Sequence, residues 1–495
     1  MKEEITNKLR KRIEEQLKKW DVPSASLCVV KDGETWMAEG IGHRDLEQGI
    51  PADQETLYEI ASCTKAFTAA AVAVLATEGK LDMDKPVADY IPSFRLNDSY
   101  ATEHLTIRDF LSHRSGLPRH EYAWYGTGFS REELMGHLKD LRLSAPIRYQ
   151  FQYSNFNYLI AGALIEATSG MKFEDFLMER LLLPLGMTKS KVYIEDIRSA
   201  ENKALPYDHT EEYTMEGIRR IDFYKSPAEN EESRTGDPTA AAGCISSCAE
   251  DMARWMKFSL GDGEWEGKRL IRPDLMKLLF TPHMTVSDSE VYAPERSMGS
   301  YALGWQVYNY RGYTLREHGG NINGFTSETV LVPELGLGVF VSANMNVTLL
   351  ADAITLDAVD LFLGKEDGDW YSRLYKGNEE MFASVRAFFA SPGEKAVPDT
   401  KPSHALEDYV GEYETPGYRR VLIEKTEDRL RIDFNSFVVG LRHHHYDTFA
   451  TEGFIGELPA GLLVSFGTSP EGEIKTVSMK LGSEAGLGPI VFTRK

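Results

Sequence analysis

The stretch Ser62-Cys63-Thr64-Lys65 decides the fold that we predict for this chain. It joins a short apolar approach at residues 57–61 to a run of strong helix formers at residues 66–78. Ser62 and Lys65 therefore share one face at the start of a helix. A lysine among Ala, Phe and Val side chains loses hydration, which lowers its pKa and makes its amine a proton acceptor. A hydroxyl beside such an amine becomes a nucleophile.

Size and charge exclude several classes of function. A chain of 495 residues is longer than one ordinary hydrophobic core and predicts roughly two to four domains. Its net charge of −21 argues against nucleic acid or an anionic membrane as a partner, because both would repel it. The N-terminus is charged and amphipathic, without the apolar segment of a signal peptide, and the sequence lacks an apolar run long enough to span a bilayer. We therefore expect a cytoplasmic protein.

The cysteines do not predict a metal site or a disulfide scaffold. The four of them, Cys28, Cys63, Cys244 and Cys248, are scattered along the chain. Cys244 and Cys248 are close in sequence, but a second pair of ligands does not accompany them. We expect neither a metal nor any other cofactor.

Strand patterns lie at both ends of the first part of the chain, with mainly helical patterns from residue 62 to about 260 between them. The predicted strands cover residues 25–30, 35–39, 303–310, 313–317, 326–332 and 338–343, and a helix covers residues 349–363. This order predicts the α/β (α+β) fold class, with one antiparallel sheet flanked by helices and an all-helical lobe. We expect a catalytic cleft between the sheet and the lobe.

The pattern changes after residue 365. Residues 366–402 are predicted to be a connector with one helical stretch at residues 379–389. Short strands separated by Gly, Asp and Pro fill residues 403–495 and predict a small all-β barrel. The predicted domains are thus residues 1–365 and residues 403–495.

Two further motifs supply partners for Ser62. Tyr153 and Asn155 are two apart in an extended segment, so their side chains point the same way. The Tyr153 phenol could relay a proton, and Asn155 could bind Lys65 and a substrate amide. Read alone, this pair is an ordinary buried tyrosine and a capping asparagine.

The second motif, His318-Gly319-Gly320-Asn321, ends a predicted strand. Its glycines permit close approach of a substrate backbone or an oxyanion. The backbone N–H of Asn321 could complete an oxyanion hole with that of Ser62. Read alone, His318 is a surface histidine at the end of a strand.

Together, Ser62-x-x-Lys65, Tyr153-x-Asn155 and His318-x-Gly320 resemble the three-motif signature of serine β-lactamase-like hydrolases. That superfamily includes class C β-lactamases, penicillin-binding DD-peptidases, family VIII esterases and D-aminopeptidases. The resemblance covers residues 10 to about 365 and includes the sequence segments at residues 105–118, 184–187 and 251–255. It implies a β-lactamase/transpeptidase-like fold. The site residues that it implies are catalytic Ser62, Lys65 and Tyr153, and substrate-binding Asn155, His318, Gly320 and Asn321.

The chain departs from this pattern at two places. Family members usually carry Pro-Gly where this chain has Ile147-Arg148, which changes the local loop. Class C β-lactamases and DD-peptidases usually carry a lysine in place of His318, as a permanent cation for a substrate carboxylate, whereas histidine is mostly neutral at pH 7. β-Lactam hydrolysis and carboxypeptidase action are therefore less favoured.

The C-terminal words at 409–413 and 443–449 resemble the lipocalin-like barrel of serine peptidases that act on peptides containing D-amino acids. With His318, they imply a D-aminopeptidase-like subgroup. His443 and His445 share a strand face, and we interpret them as packing residues rather than metal ligands.

The resulting hypothesis is a two-step acyl transfer through an acyl-enzyme on Ser62, with Lys65 or Tyr153 as the base. The expected partner is a small peptide, amide or ester, and self-association into a homo-oligomer stays open. The alternatives are an esterase or acyl transferase of the same fold, or a catalytically silent binding protein.

Overall fold

The computed structural model describes residues 2–210, 214–221, 238–390, 396–435, 437–452, 461–482 and 487–495. A nine-stranded sheet with helices on both faces forms the first part, and a closed eight-stranded barrel forms the last. The predicted fold class is confirmed. Within the described residues, we find no helix with the length and apolarity needed to cross a membrane, and no cluster of three or more His, Cys, Asp or Glu able to hold a metal.

The central sheet is antiparallel and joins the two ends of the first part. Ser24–Lys31 is buried along its length, because it pairs with Glu34–Asp45 on one side and with Leu337–Ala343 on the other. In spatial order the strands are Met284–Thr285, Arg296–Tyr301, Gln306–Tyr310, Tyr313–Ile322, Phe325–Val332, Leu337–Ala343, Ser24–Lys31, Glu34–Asp45 and Ile50–Pro51.

Helices cover both faces of this sheet. Lys2–Lys19 and Leu350–Leu363 share one hydrophobic core with it, while Thr64–Thr77 and Ala249–Leu260 belong to the core of the helical lobe on the other face. The remaining α-helices are Ser99–His104, Ile107–Leu111, Arg131–His137, Asn155–Ser169, Phe173–Leu177, Ile194–Ser199, Ala240–Gly243, Pro273–Leu279, Trp370–Ala390 and Leu406–Tyr409.

The helix at residues 370–390 is longer than the one that we predicted in the connector. Trp370 and Leu374 are buried in the same core as the sheet. Because these contacts are made with distant parts of the chain, the local pattern did not reveal them.

The C-terminal barrel closes because its first and last strands pair, with Tyr413 opposite Arg494. Its interior is filled by buried apolar side chains, as expected for a barrel of this size. The strands are Gly411–Glu414, Val421–Thr426, Arg429–Phe434, Phe437–His445, Thr448–Thr451, Leu463–Thr468, Ile474–Met479 and Ile490–Arg494.

The loop before Tyr153 accommodates the departure at Ile147-Arg148 with an ion pair. Arg148 has a φ of 62°, a left-handed conformation that glycine adopts at low cost. Its guanidinium forms a fork on the fully buried carboxylate of Asp109, with distances of 3.0 Å (Nε–Oδ1) and 2.7 Å (Nη2–Oδ2). Burial alone would raise the pKa of Asp109, but Arg148 and Arg114 hold it below its ordinary value.

Two substitutions separate the contribution of backbone strain at Arg148 from that of its ion pair to the free energy of unfolding. Arg148→Ala loses the pair and keeps the left-handed backbone, so we expect the free energy of unfolding to fall by about 2 kcal/mol. Arg148→Gly loses the pair but relieves the backbone, so its loss should be about 1 kcal/mol smaller. Urea denaturation measures both values. Equal losses would contradict the strain that we assign to this position.

Candidate active site

Ser62 lies in a tight turn directly before a buried helix. The 3₁₀ turn Ala61–Cys63 contains it, so it precedes the helix Thr64–Thr77 rather than lying in its first turn. The alanine before it has a φ of 46°, which is uncommon for residues other than glycine. The Ser327 hydroxyl donates a 2.7 Å hydrogen bond to the carbonyl of Ile60. This bond ties the strained turn to the sheet and holds the half-buried Ser62 in place.

Lys65 is fully buried, and its amine contacts three oxygens. Nζ lies 2.9 Å from Ser62 Oγ, 3.0 Å from Asn155 Oδ1 and 2.9 Å from the Ala242 carbonyl. Burial, with a smaller contribution from the positive charge of Arg119, lowers the pKa of Lys65 to about 7. A neutral amine has two hydrogens and one lone pair. Asn155 and Ala242 can accept the two hydrogens, which leaves the lone pair for the Ser62 hydroxyl.

Tyr153 and Asn155 reach this amine from the segment that enters the helix Asn155–Ser169, so their side chains do point the same way. The centroid of the Tyr153 ring lies 4.8 Å from Lys65 Nζ. Burial raises the pKa of the Tyr153 phenol, and its interaction with the Ser62 hydroxyl offsets only part of that rise. The phenol is therefore protonated at neutral pH and can donate a proton.

Gly320 approaches the Ser62 turn so closely that a side chain would not fit. It lies on the strand Tyr313–Ile322, and a Cβ at this position would be 2.3 Å from the Ile60 carbonyl oxygen and 3.0 Å from the Ser62 nitrogen. The first distance is shorter than real contacts of a Cβ atom allow, and the second is tighter than most of them. The glycine in the third motif thus lets the strand pack against the turn that contains Ser62.

His318 is buried, with only 2% of its surface exposed, rather than lying on the surface. Its Nε2 is 2.9 Å from the Tyr301 hydroxyl and its Nδ1 is 2.7 Å from the Gly319 carbonyl. Burial, followed by the charge of Lys65, lowers the pKa of His318 to about 3. The imidazole is neutral, so it does not supply the positive charge of the lysine that class C β-lactamases and DD-peptidases usually carry at this position.

Asn321 lies exposed at the end of the same strand. Its carboxamide donates to the Phe325 carbonyl at 3.2 Å and the Thr326 hydroxyl at 3.1 Å, which closes the hairpin. The side chain is thus engaged away from the cluster, and it is Gly320 that borders the Ser62 amide. An oxyanion hole formed by the backbone N–H groups of Ser62 and Asn321 stays a prediction.

Sequence reasoning missed His113, which holds Tyr153 from three directions. The backbone carbonyl of His113 accepts a hydrogen bond from the Gln152 N–H at 2.8 Å. The ring nitrogen Nδ1 of His113 accepts another from the Ser154 N–H at 3.2 Å. Its ring centroid lies 4.4 Å from that of Tyr153. The residues flanking Tyr153 are both bound to this one side chain and its carbonyl. The available signal was a histidine within the segment at residues 105–118, and the sequence alone did not indicate its role.

A substitution tests the close approach of Gly320. Gly320→Ala should displace the turn and slow the reaction of Ser62 with a fluorophosphonate by about 10²-fold, because reacting groups tolerate little misplacement. Gly319→Ala is the matched control on the same strand, since its Cβ would lie nearest to the end of the Glu328 side chain, at 2.8 Å, and to the Ser327 carbonyl oxygen, at 3.7 Å, rather than to the Ser62 turn. Similar rates for the two variants would show that the contact is not critical.

Comparison with known proteins finds a family model that matches each of the two parts of the chain. The family model described as Beta-lactamase matches residues 9–362, and the model described as Domain of unknown function (DUF3471) matches residues 395–494. The protein is 28% identical over 435 residues to Unguisins hydrolase ungD' of Aspergillus campestris, covering 84% of this chain and 77% of that one. It is 26% identical over 339 residues to Protein flp of Staphylococcus aureus, covering 68% of this chain and 62% of that protein.

The fold also has a solved counterpart. The octameric penicillin-binding protein homologue from Pyrococcus abyssi aligns with a TM-score of 0.63 and 22% identity, covering 98% of this chain and 99% of that one. This likeness supports the fold, while the family model covers most of the chain. The chain therefore belongs to the Beta-lactamase family.

Proposed function

We propose that this protein hydrolyses amides through an acyl-enzyme on Ser62, with Lys65 as the general base and Tyr153 as the proton donor. The observation that carries the proposal is the 2.9 Å contact between Lys65 Nζ and Ser62 Oγ. Two other oxygens are placed to take the hydrogens of that amine, so its lone pair is available to the serine.

The proposed reaction has two steps. Neutral Lys65 takes the Ser62 proton as Oγ bonds to the substrate carbonyl carbon, and the carbonyl electron pair moves onto its oxygen. When the tetrahedral intermediate collapses, the carbon–nitrogen bond breaks and Tyr153 protonates the leaving amine. The proton held by Lys65 then restores the phenol. In the second step neutral Lys65 takes a proton from water as the water oxygen bonds to the carbonyl carbon of the ester. The bond between that carbon and Ser62 Oγ then breaks, and the proton held by Lys65 passes to Oγ as the acid is released.

The pKa values of the two candidate bases support this assignment. Lys65, with a pKa of about 7, is substantially neutral at physiological pH. The phenol of Tyr153, with its raised pKa, carries its proton and is matched to the role of donor. The alternative that Tyr153 is the base needs a phenolate, which burial disfavours.

For the substrate we propose a peptide or amide with a D-residue at the acyl position. His318 is neutral, which fits the D-aminopeptidase-like pattern rather than the lysine-containing one. A relative over most of the chain is named as a hydrolase. The domain boundaries predicted above and the lipocalin-like nature of the barrel are part of this proposal.

A labelling experiment and a substrate screen test the function. Fluorophosphonate should modify Ser62 in the full chain, mapped by mass spectrometry, and leave Ser62→Ala unmodified. D-Alanyl p-nitroanilide should be cleaved faster than its L-isomer and in preference to p-nitrophenyl butyrate. Labelling at another residue, or none with active enzyme, would overturn the mechanism. Preference for the ester would instead favour an esterase.

The pH dependence separates the two bases. If neutral Lys65 is required, kcat/KM should be constant above about pH 8 and fall about tenfold per pH unit below its pKa of about 7. The raised pKa of Tyr153 keeps the donor protonated, so activity should not fall below about pH 10. A rate that keeps rising above pH 9 would identify a phenolate base. Lys65→Met should abolish activity in either case.

A further inference from the structure

Two consecutive glycines lie beside Ser62 and have to be held there. Gly319 and Gly320 follow one another on the strand Tyr313–Ile322, and Gly320 borders the Ser62 nitrogen. Glycine has the widest choice of backbone conformations and loses the most conformational entropy when it is fixed. The position of this segment relative to Ser62 therefore depends on contacts that hold its peptide groups.

Hydrogen bonds hold the peptide groups on both sides of Gly319. The backbone carbonyl of His318 accepts from Cys63 Sγ at 2.9 Å, which ties the first peptide group to the residue after Ser62. The carbonyl of Gly319 lies 2.7 Å from Nδ1 of the His318 ring. Since a carbonyl accepts and does not donate, this ring nitrogen carries the hydrogen. The imidazole thus holds the peptide group that joins Gly319 to Gly320.

The hydroxyl of Tyr301 holds the other nitrogen of this ring. It lies 2.9 Å from His318 Nε2. A neutral imidazole has one N–H hydrogen, which is on Nδ1, so Nε2 presents a lone pair and the hydroxyl donates to it. Tyr301 is fully buried, and so is nearly all of His318. Turning the ring would leave polar atoms without partners in the protein interior, so the two hydrogen bonds fix its orientation.

Tyr301 also lies against the other two motifs. Its ring packs edge-on to that of Tyr153, with centroids 6.4 Å apart and planes at 81°. Three residues later, Gly304 has a φ of 75° and approaches Lys65 so closely that a Cβ would lie 2.7 Å from the Lys65 carbonyl oxygen. The end of the strand Arg296–Tyr301 is therefore fixed relative to the base and the proton donor of the proposed mechanism.

We infer that Tyr301 is a positioning residue for the proposed hydrolysis and acts through His318. Its hydroxyl orients the imidazole, and the imidazole orients the peptide group between Gly319 and Gly320 beside Ser62. The inference rests on the proposed function, because it assigns part of the third motif to holding the site of acyl transfer. The resemblance implies that His318 binds substrate, whereas both of its ring nitrogens are bound within the protein.

The tautomer of His318 tests the orientation of the ring without relying on activity. In the full chain labelled with ¹⁵N at histidine, NMR should show His318 neutral with its proton on Nδ1, and His318→Phe assigns the signal by removing it. The ring should stay neutral from about pH 8 to about pH 5, because burial lowers its pKa to about 3. A proton on Nε2, or a doubly protonated ring in this range, would overturn the inference.

Tyr301→Phe keeps the buried ring and removes the hydroxyl. We expect kcat for D-alanyl p-nitroanilide and the rate of fluorophosphonate labelling of Ser62 to fall about tenfold, with KM changed by less than about twofold, because the loss is one of positioning. Tyr413→Phe is the matched control, since Tyr413 is equally buried and its hydroxyl donates to the Tyr409 carbonyl at 2.8 Å within the barrel. Unchanged rates in Tyr301→Phe, a rise in KM alone, or an equal loss in Tyr413→Phe would each contradict the inference.

A double-mutant cycle separates an effect through His318 from a direct effect of Tyr301. His318→Phe removes both hydrogen bonds of the ring and keeps an aromatic ring in place. If Tyr301 acts through the imidazole, Tyr301→Phe should slow labelling by less than about twofold in the His318→Phe background. The full loss in that background would show that Tyr301 acts by another route. Absence of Ser62 labelling in the unsubstituted protein would instead be a failure of the proposed function, and the tautomer measurement would still decide how the ring is held.

Discussion

An amine buried in an apolar helix is the constraint on which the rest of this structure depends. Removing a charge from water costs several kcal/mol unless polar partners replace the solvent. The three partners of Lys65 come from separate parts of the chain: Ser62, Asn155 and the Ala242 carbonyl. The lobe must hold three helices in fixed register to bring them together. Close packing of Gly162 on Ala241 gives that register, since even a Cβ at Gly162 would lie 3.0 Å from the Ala241 side chain.

The sheet imposes the second half of the geometry. Cys63, next to Ser62, donates through Sγ to the His318 carbonyl at 2.9 Å, and Ser327 donates to the Ile60 carbonyl. These contacts offset the left-handed conformation of the alanine between them. Burial, with a smaller effect from Glu328, raises the pKa of Cys63 to about 12. The thiol therefore keeps its proton at neutral pH and serves as a structural donor.

Local sequence patterns were sufficient to predict most of the helices and strands and two of the residue pairs in the candidate site. Ser62 with Lys65, and Tyr153 with Asn155, could be placed because each pair is close in sequence and periodicity decides which way its side chains point. His113 and the Ala242 carbonyl could not, since their roles depend on contacts across tens of residues or more. The helix Trp370–Ala390 was underestimated for the same reason. Arg148 shows a different limit, because the sequence revealed the missing glycine but not the ion pair with Asp109 that replaces it.

Two charged residues outside the three motifs, Arg119 and Glu121, contribute to the electrostatics of the site. His318 contributes no charge at neutral pH. Burial is the largest influence on the pKa of Lys65, which it lowers, and on that of the Tyr153 phenol, which it raises. Arg119 adds a smaller lowering contribution at both groups, and Glu121 opposes it. The balance of these two charges depends on where their loop lies, and that loop is bound to the barrel through His120 and Tyr122. The barrel can thus influence the protonation of Lys65 through the position of this loop. The dependence follows from distance alone, because the interaction between charges weakens steadily as they move apart.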